Sequence, residues 1–322
     1  MIRQLPTQVR RMALVAALMI LVASTALPVR ADDQIAVVAT LPPVHALVAA
    51  VMGDTGAPTL LIPAGASPHA TTLAPSAAQA LEDAHIIFWV GPEMETSLVG
   101  AMRTLPTNAL MIPLNEAAGL EHRSSRDHGP RSTEEQAPHD ESHGHAPGAT
   151  DQHIWLDPEN ARAMVRAITA ALITVDPANQ LAHARNAAAT DARLGALTVD
   201  LADMLDPVRS IPFIVFHDAY QHMEARFSLN AVGAVTVSPD RRPGAARVVE
   251  IRRRIRHHDA TCVFVEPQFE PGLAPVLVEG TGAQIAELDP LGDGLSPGPE
   301  LYFELMRRNA RSLLNCLSRH HP

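Results

Sequence analysis

The feature that most constrains the fold is an alternation of short apolar segments with longer segments of helical periodicity. Strands that alternate with helices predict an α/β protein built on mainly parallel sheets. The predicted strands are Ile35–Leu41, Thr59–Ile62, His85–Val90, Ala109–Ile112, Pro212–Phe216, Ala231–Val237, Thr261–Val265 and Gln284–Leu288.

The two halves of this pattern are similar to each other. Thr40 ends the first strand of one half and His217 ends the first strand of the other, an offset of 177 residues. Three further pairs of strand-end prolines keep offsets of 175 to 177: Pro63 and Pro239, Pro92 and Pro267, and Pro113 and Pro290. We therefore predict two similar lobes, with a ligand between them at the carboxyl ends of the strands.

The middle of the chain has helical periodicity and no strand. Pro158–Val175 and Ala178–Leu205 are both predicted helices, and Asp176-Pro177 is a good start signal for the second. We expect an N-terminal lobe over residues 32–175, a long rigid linking helix over 176–207 and a C-terminal lobe over 208–322.

The first 31 residues have the pattern of a secretory signal. A basic start precedes an apolar run over Met12–Pro28, and Val29-Arg30-Ala31 resembles a small-x-small cleavage site. We expect cleavage after Ala31 and a periplasmic location; an uncleaved anchor is the alternative. The remaining 21 arginines against 35 acids give the rest of the chain a net charge of −14. This charge argues against nucleic acid as a partner.

Four polar residues at the ends of predicted strands, or in the loops after them, are candidate metal ligands: His69, His153, His217 and Asp289. Three neutral imidazoles and one carboxylate suit a tetrahedral Zn²⁺ site. Each histidine has a structural alternative, and Asp289 is alternatively a turn residue before Pro290 or an acceptor for a ligating imidazole. His45 follows the first strand and is a candidate for supporting a ligand, or else a structural histidine.

Residues 121–149 differ from the rest, because they are rich in His, Glu, Asp, Pro and Gly and almost lack large apolar side chains. This composition predicts a disordered loop. We interpret His139, His143 and His145 as an auxiliary, low-affinity metal contact; the alternative is a solvating segment of low complexity. The two cysteines, Cys262 and Cys316, are expected to pair in an exported protein, or else to be two buried thiols.

Six motifs stand out along the chain: "LIPAGASPHATTLAPS", "IIFWVGPEME", "HIWLDPENAR", "FIVFHDAYQHMEARF", "TCVFVEPQF" and "ELDPLG". In combination and order they resemble the periplasmic zinc-binding component of zinc ABC transporters, in the metal-specific cluster A-I (cluster 9) of substrate-binding proteins. The resemblance runs from about residue 36 to residue 317. It implies two lobes joined by a rigid helix, with one zinc between them.

The family's three histidine ligands fall on His69, His153 and His217. Its fourth ligand varies, and in some zinc-binding members a glutamate just before the first histidine contributes. That position is Pro68 here, so the resemblance leaves Asp289 or a water molecule to complete the shell. It also implies the Cys262–Cys316 pair and a membrane permease as partner, and we expect a monomeric carrier that is not an enzyme.

Two alternatives stay open at this stage. A manganese or iron carrier would have the same fold. An exported zinc hydrolase would use three histidines and a bound water. The chain has no His-Glu-x-x-His motif, since "HDESH" in the predicted loop has the histidine spacing but its glutamate is third rather than second, and only Asp218 beside His217 offers an adjacent base.

Overall fold

The computed structural model describes residues 35–63, 65–69, 72–106, 108–126, 150–236, 243–268 and 271–319. The predicted signal, the proposed cleavage site and the histidines at 139, 143 and 145 lie outside these residues.

Eight strands in these described ranges form two four-stranded parallel sheets. Each sheet has the same order, with its second strand at one edge, followed by its first, third and fourth. The two middle strands of each sheet are apolar and buried along nearly their whole length, because helices cover both faces of a parallel sheet. The first sheet contains β1 (Val37–Ala39), β2 (Thr59–Leu60), β3 (Ile86–Trp89) and β4 (Leu110–Pro113); the second contains β5 (Phe213–His217), β6 (Ala231–Thr236), β7 (Cys262–Val265) and β8 (Gln284–Glu287). The predicted α/β class and the two similar lobes are confirmed.

Nine α-helices occur in the described part of the chain. Those of the first lobe are α1 (Pro42–Met52), α2 (Pro75–Glu82) and α3 (Val99–Thr104). The central pair is α4 (Pro158–Val175) and α5 (Gln180–Leu205). The second lobe has α6 (Gln221–Phe227), α7 (Ala245–His257), α8 (Ala274–Val278) and α9 (Leu301–Leu317).

The long helix α5 packs against helices of both lobes. It contacts α1 and α4, and it also contacts α9 of the second lobe. Its buried face carries Leu194, Leu197, Leu201 and Leu205, at the three- and four-residue spacing of one helical face. These leucines belong to a hydrophobic core that continues through both lobes, so both lobes pack against α5.

A disulfide ties the last helix to the second sheet. Cys262 begins β7 and Cys316 lies in the last turn of α9, with their Cα atoms 6.4 Å apart. The predicted pairing is confirmed. None of the helices in the described ranges has both the length and the apolar character that crossing a bilayer requires.

Candidate metal centre

Three histidines from separate segments converge between the two sheets. His217 is the last residue of β5, His69 lies in the segment after β2, and His153 directly precedes a short 3-10 helix, Ile154–Leu156. The ring centroids are 5.9 Å apart for His69 and His153, 5.6 Å for His69 and His217, and 4.9 Å for His153 and His217.

One ring nitrogen of each histidine lies within 4.8 Å of those of the other two. Within the described residues this is the single group of three or more His, Cys, Asp or Glu side chains with metal-binding spacing. His153 and His217 are each 3% exposed, and His69 is half-buried. The arrangement could hold one metal ion through three imidazole nitrogens.

The space between the rings is small and is lined by both polar and apolar side chains. Its volume is about 10 Å³, roughly the space needed by a single water molecule. The lining comprises the three histidines together with Ser67, Pro68, Trp155, Glu266, Gln268, Pro290 and Leu291. Trp155 is fixed across the lobe boundary, because its indole N–H donates to the Pro290 carbonyl at 2.8 Å.

A buried carboxylate contacts His153 from behind. Asp151 Oδ1 lies 2.7 Å from His153 Nδ1 and also accepts the backbone N–H of His153 at 3.0 Å. Asp151 is 3% exposed. Burial raises the pKa of its carboxyl to about 6, although the nearby His222 and the backbone N–H of His153 oppose this shift.

A second buried carboxylate contacts His217. Glu266 Oε1 and Oε2 lie 3.3 Å and 3.4 Å from His217 Nδ1. Val215 of β5 pairs with Phe264 of β7, and extending that register by two residues brings His217 beside Glu266. Burial acts to lower the pKa of His217, but the charge and hydrogen bond of Glu266, together with the charges of Asp218 and Asp151, outweigh it, so the pKa is raised.

Asp289 is not part of the histidine group. Its Oδ1 accepts the backbone N–H of Leu291 at 2.9 Å and of Gly292 at 3.0 Å, and the side-chain amide of Gln268 at 2.9 Å. Its Oδ2 accepts the N–H of Asp293 at 2.6 Å. The carboxylate therefore closes the turn after β8, in agreement with the alternative that Asp289 is a turn residue.

His45 also lies apart from the group. It is in the first turn of α1, and its Nε2 is 3.0 Å from the Pro58 carbonyl oxygen. Burial lowers its pKa, with the Pro58 hydrogen bond opposing, which favours a neutral imidazole held by the backbone. This contact fits the structural alternative for His45.

Two arginines link the lobes beside the histidines. Arg126 Nε lies 3.0 Å from Asp218 Oδ1, and Arg126 Nη2 lies 2.9 Å from Glu224 Oε1. Arg226 of α6 makes a two-point contact with Asp157, at 2.8 Å for each nitrogen. Because Asp218 is paired with a guanidinium, it is a poor candidate for the base of a hydrolase.

Sequence reasoning missed Asp151, Glu266 and Arg126. Asp151 stands two residues before His153 in "DQHIW", and Glu266 follows the predicted strand in "VFVEPQ", so both were visible as polar residues at the right places. Arg126 was missed because it lies within residues 121–149, which the composition predicted to be a disordered loop, and because its partner Asp218 is 92 residues away. Its contacts with Asp218 and Glu224 show that the predicted loop was drawn too long at this end.

The comparisons with known proteins agree with this architecture. The model of the family "Zinc-uptake complex component A periplasmic" matches residues 37–316. The chain is 41% identical over 312 residues to the high-affinity zinc uptake system protein ZnuA of Brucella suis biovar 1 (strain 1330), covering 90% of this chain and 93% of that protein. It is 37% identical to the Paracoccus denitrificans (strain Pd 1222) protein of the same name, covering 91% and 95%.

Solved structures share the fold at lower identity. A crystal structure of ZnuA superposes with a TM-score of 0.74 at 22% identity, covering 88% of this chain and 100% of that one. The Pseudomonas aeruginosa protein FpvC in complex with Mn²⁺ gives 0.76 at 20% identity, covering 90% and 100%. With a family model matched over residues 37–316, the chain belongs to the periplasmic component A family of zinc-uptake complexes.

Proposed function

We propose that this chain captures Zn²⁺ between its two lobes in the periplasm and delivers it to the permease of an ABC transporter. The observation that carries the proposal is the convergence of His69, His153 and His217 on one small enclosed space. Family membership supports it, since the matched relatives are named for high-affinity zinc uptake.

The donor set favours zinc over a harder ion. Three imidazole nitrogens are typical of Zn²⁺ sites, whereas Mn²⁺ favours more oxygen ligands. The carboxylate of Asp289 is engaged by three backbone amides, so we propose that His69, His153 and His217 are the protein ligands and that a water molecule completes the tetrahedron. A manganese or iron carrier of the same fold is the second candidate, and it requires an oxygen-rich shell that this group does not offer.

We further propose a carrier rather than an enzyme. A carrier must bind its ion tightly and still release it, and three neutral imidazoles with one exchangeable position meet both needs. Asp218 is held by Arg126 and does not serve as a general base beside the metal. Residues 1–31 are proposed to be a cleaved signal, and the mature chain to act as a monomer.

Zinc titration of the mature protein against a chromophoric chelator tests the proposal. We expect one tight equivalent, weaker Mn²⁺ than Zn²⁺ binding, and a loss in His153→Ala and His217→Ala larger than the ~10–100-fold typical of outer-shell partners. His45→Ala is the matched control, because His45 is buried but hydrogen-bonded to Pro58. Tighter Mn²⁺ than Zn²⁺ binding would assign the chain to the second candidate.

A further inference from the structure

We infer that Asp151 and Glu266 are positioning residues for the metal site, and that their paired negative charges make the site selective for a divalent cation. Each carboxylate holds one histidine ring by its Nδ1–H. The inference rests on the proposed function, because it concerns how His153 and His217 are presented to the ion.

The geometry fixes the tautomer of both rings. A carboxylate only accepts hydrogen bonds, so the ring nitrogen beside it is the one that carries the proton. Asp151 lies 2.7 Å from His153 Nδ1, and Glu266 lies 3.3 Å from His217 Nδ1. In a neutral imidazole the lone pair is then on Nε2, which is the atom left to bind the metal.

Asp151 is itself held in place by a chain of buried groups. Its backbone carbonyl lies 3.1 Å from Nε2 of His222, and Nδ1 of His222 accepts from the amide of Asn160 at 3.2 Å. His222 is fully buried and Asn160 is 1% exposed. Because Asn160 lies on α4 and His222 on α6, a central helix and a helix of the second lobe together hold the backbone of the residue that orients His153.

The negative charges of Asp151 and Glu266 also affect which ion the site can hold. Both carboxylates are 3% exposed, and within the described ranges neither forms an ion pair with an arginine. Asp218 and Asp157, by contrast, are each paired with a guanidinium. A buried charge is costly unless it is compensated. Two carboxylates behind three neutral imidazoles balance a cation of charge +2, whereas a monovalent ion leaves one negative charge uncompensated.

Asp151→Asn and Glu266→Gln test the inference, with Asp157→Asn and Glu95→Gln as matched controls. The controls alter buried carboxylates of the same types that contact no histidine of the group. Affinities for Zn²⁺ and for anaerobic Cu⁺ are measured by chelator competition. We expect each test variant to weaken Zn²⁺ binding by ~10–100-fold. Cu⁺ binding should weaken by about the square root of that factor, because a charge acts half as strongly on a monovalent ion.

The outcomes separate the two proposals. A wild-type protein without a tight zinc site overturns the proposed function. A wild-type protein that binds zinc, with test variants no weaker than the controls, overturns only the inference. Equal losses for Zn²⁺ and Cu⁺ also overturn it, because they indicate general disruption of the site rather than loss of charge.

If Asp151→Asn or Glu266→Gln prevents folding, the wild-type protein itself can be used to test the inference. Nitrogen-15 NMR of histidine-labelled, zinc-loaded protein reports which ring nitrogen carries the proton. We expect Nδ1–H on His153 and His217. Protons on Nε2 of these rings would contradict the assigned role of both carboxylates.

Discussion

The substitution Asp289→Asn distinguishes between two roles for Asp289, as a metal ligand or as a residue that stabilises its turn. The aspartate precedes Pro290 and is 1% exposed, yet its oxygens point to the backbone of its own turn. We expect the substitution to lower stability and to leave zinc affinity almost unchanged. Stability and zinc affinity are measured separately, so a loss of stability cannot be mistaken for a loss of zinc affinity.

The magnitude follows from the hydrogen bonds of the carboxylate. Asp289 accepts four of them, from the amides of Leu291, Gly292 and Asp293 and from the side chain of Gln268. An asparagine keeps one acceptor oxygen and turns an NH₂ toward the remaining donors. Leaving one or two buried donors unsatisfied costs about 2–4 kcal/mol of unfolding free energy. Zinc affinity should stay within about threefold, equivalent to roughly 0.6 kcal/mol.

Urea unfolding of the zinc-free protein gives the stability change, and chelator competition gives the zinc affinity. Asp293→Asn is the matched control, because it makes the same change in the same turn without removing an acceptor of these bonds. If Asp289→Asn loses ~100-fold or more in zinc affinity while its unfolding midpoint is unchanged, Asp289 is a ligand and our assignment of its role is refuted.

Three further outcomes are expected. A variant in which a short glycine linker replaces residues 127–149 should retain one tight zinc site in titration, and loss of that site would contradict the assignment to the two-lobe cleft. Replacing Cys262 and Cys316 by alanine opens a cross-link with a sequence separation of 54, which should cost about 4 kcal/mol of unfolding free energy in urea; a change below about 1 kcal/mol would be inconsistent with this estimate. Burial of Glu95 raises its pKa to about 7, so the folded protein binds this proton more tightly than the unfolded chain does. Protonation of Glu95 therefore stabilises the folded state fully below about pH 4, and this stabilisation is lost as the pH rises through 7. The free energy of unfolding changes by on the order of 3 kcal/mol between these limits. Because glutamine does not titrate, Glu95→Gln should remove this pH dependence from a series of urea unfolding midpoints. The same pH dependence in the variant and in the wild-type protein would contradict the role of Glu95.

The fold was largely predictable because parallel strands buried on both faces appear as uninterrupted apolar runs. All eight predicted strands are present, and the near-constant offset between the halves corresponds to two sheets of the same order. The strand ends were less predictable. Ile35–Leu41 was expected where the strand is Val37–Ala39, since the apolar run continues into the turn and into α1.

The histidine group could be anticipated in part. His69 and His217 lie after or at the end of a strand, His153 directly precedes an apolar segment, and the structure brings the three together. Asp289 has the same kind of position after a strand, but position alone does not determine where a carboxylate points. The backbone amides of Gly292 and its neighbours capture it, and their direction depends on a turn with φ of 86° at Gly292.

Glu266 can be assigned to the histidine group only when the order of the strands in the sheet is known. A list of polar residues at strand ends contains it, but only the pairing of β5 with β7 brings it to His217. In parallel sheets with the order found here, the first and third strands are neighbours, so residues just beyond their ends meet. Strand order, applied before ligands are chosen, therefore predicts the carboxylate behind the histidine, whereas composition and spacing alone do not.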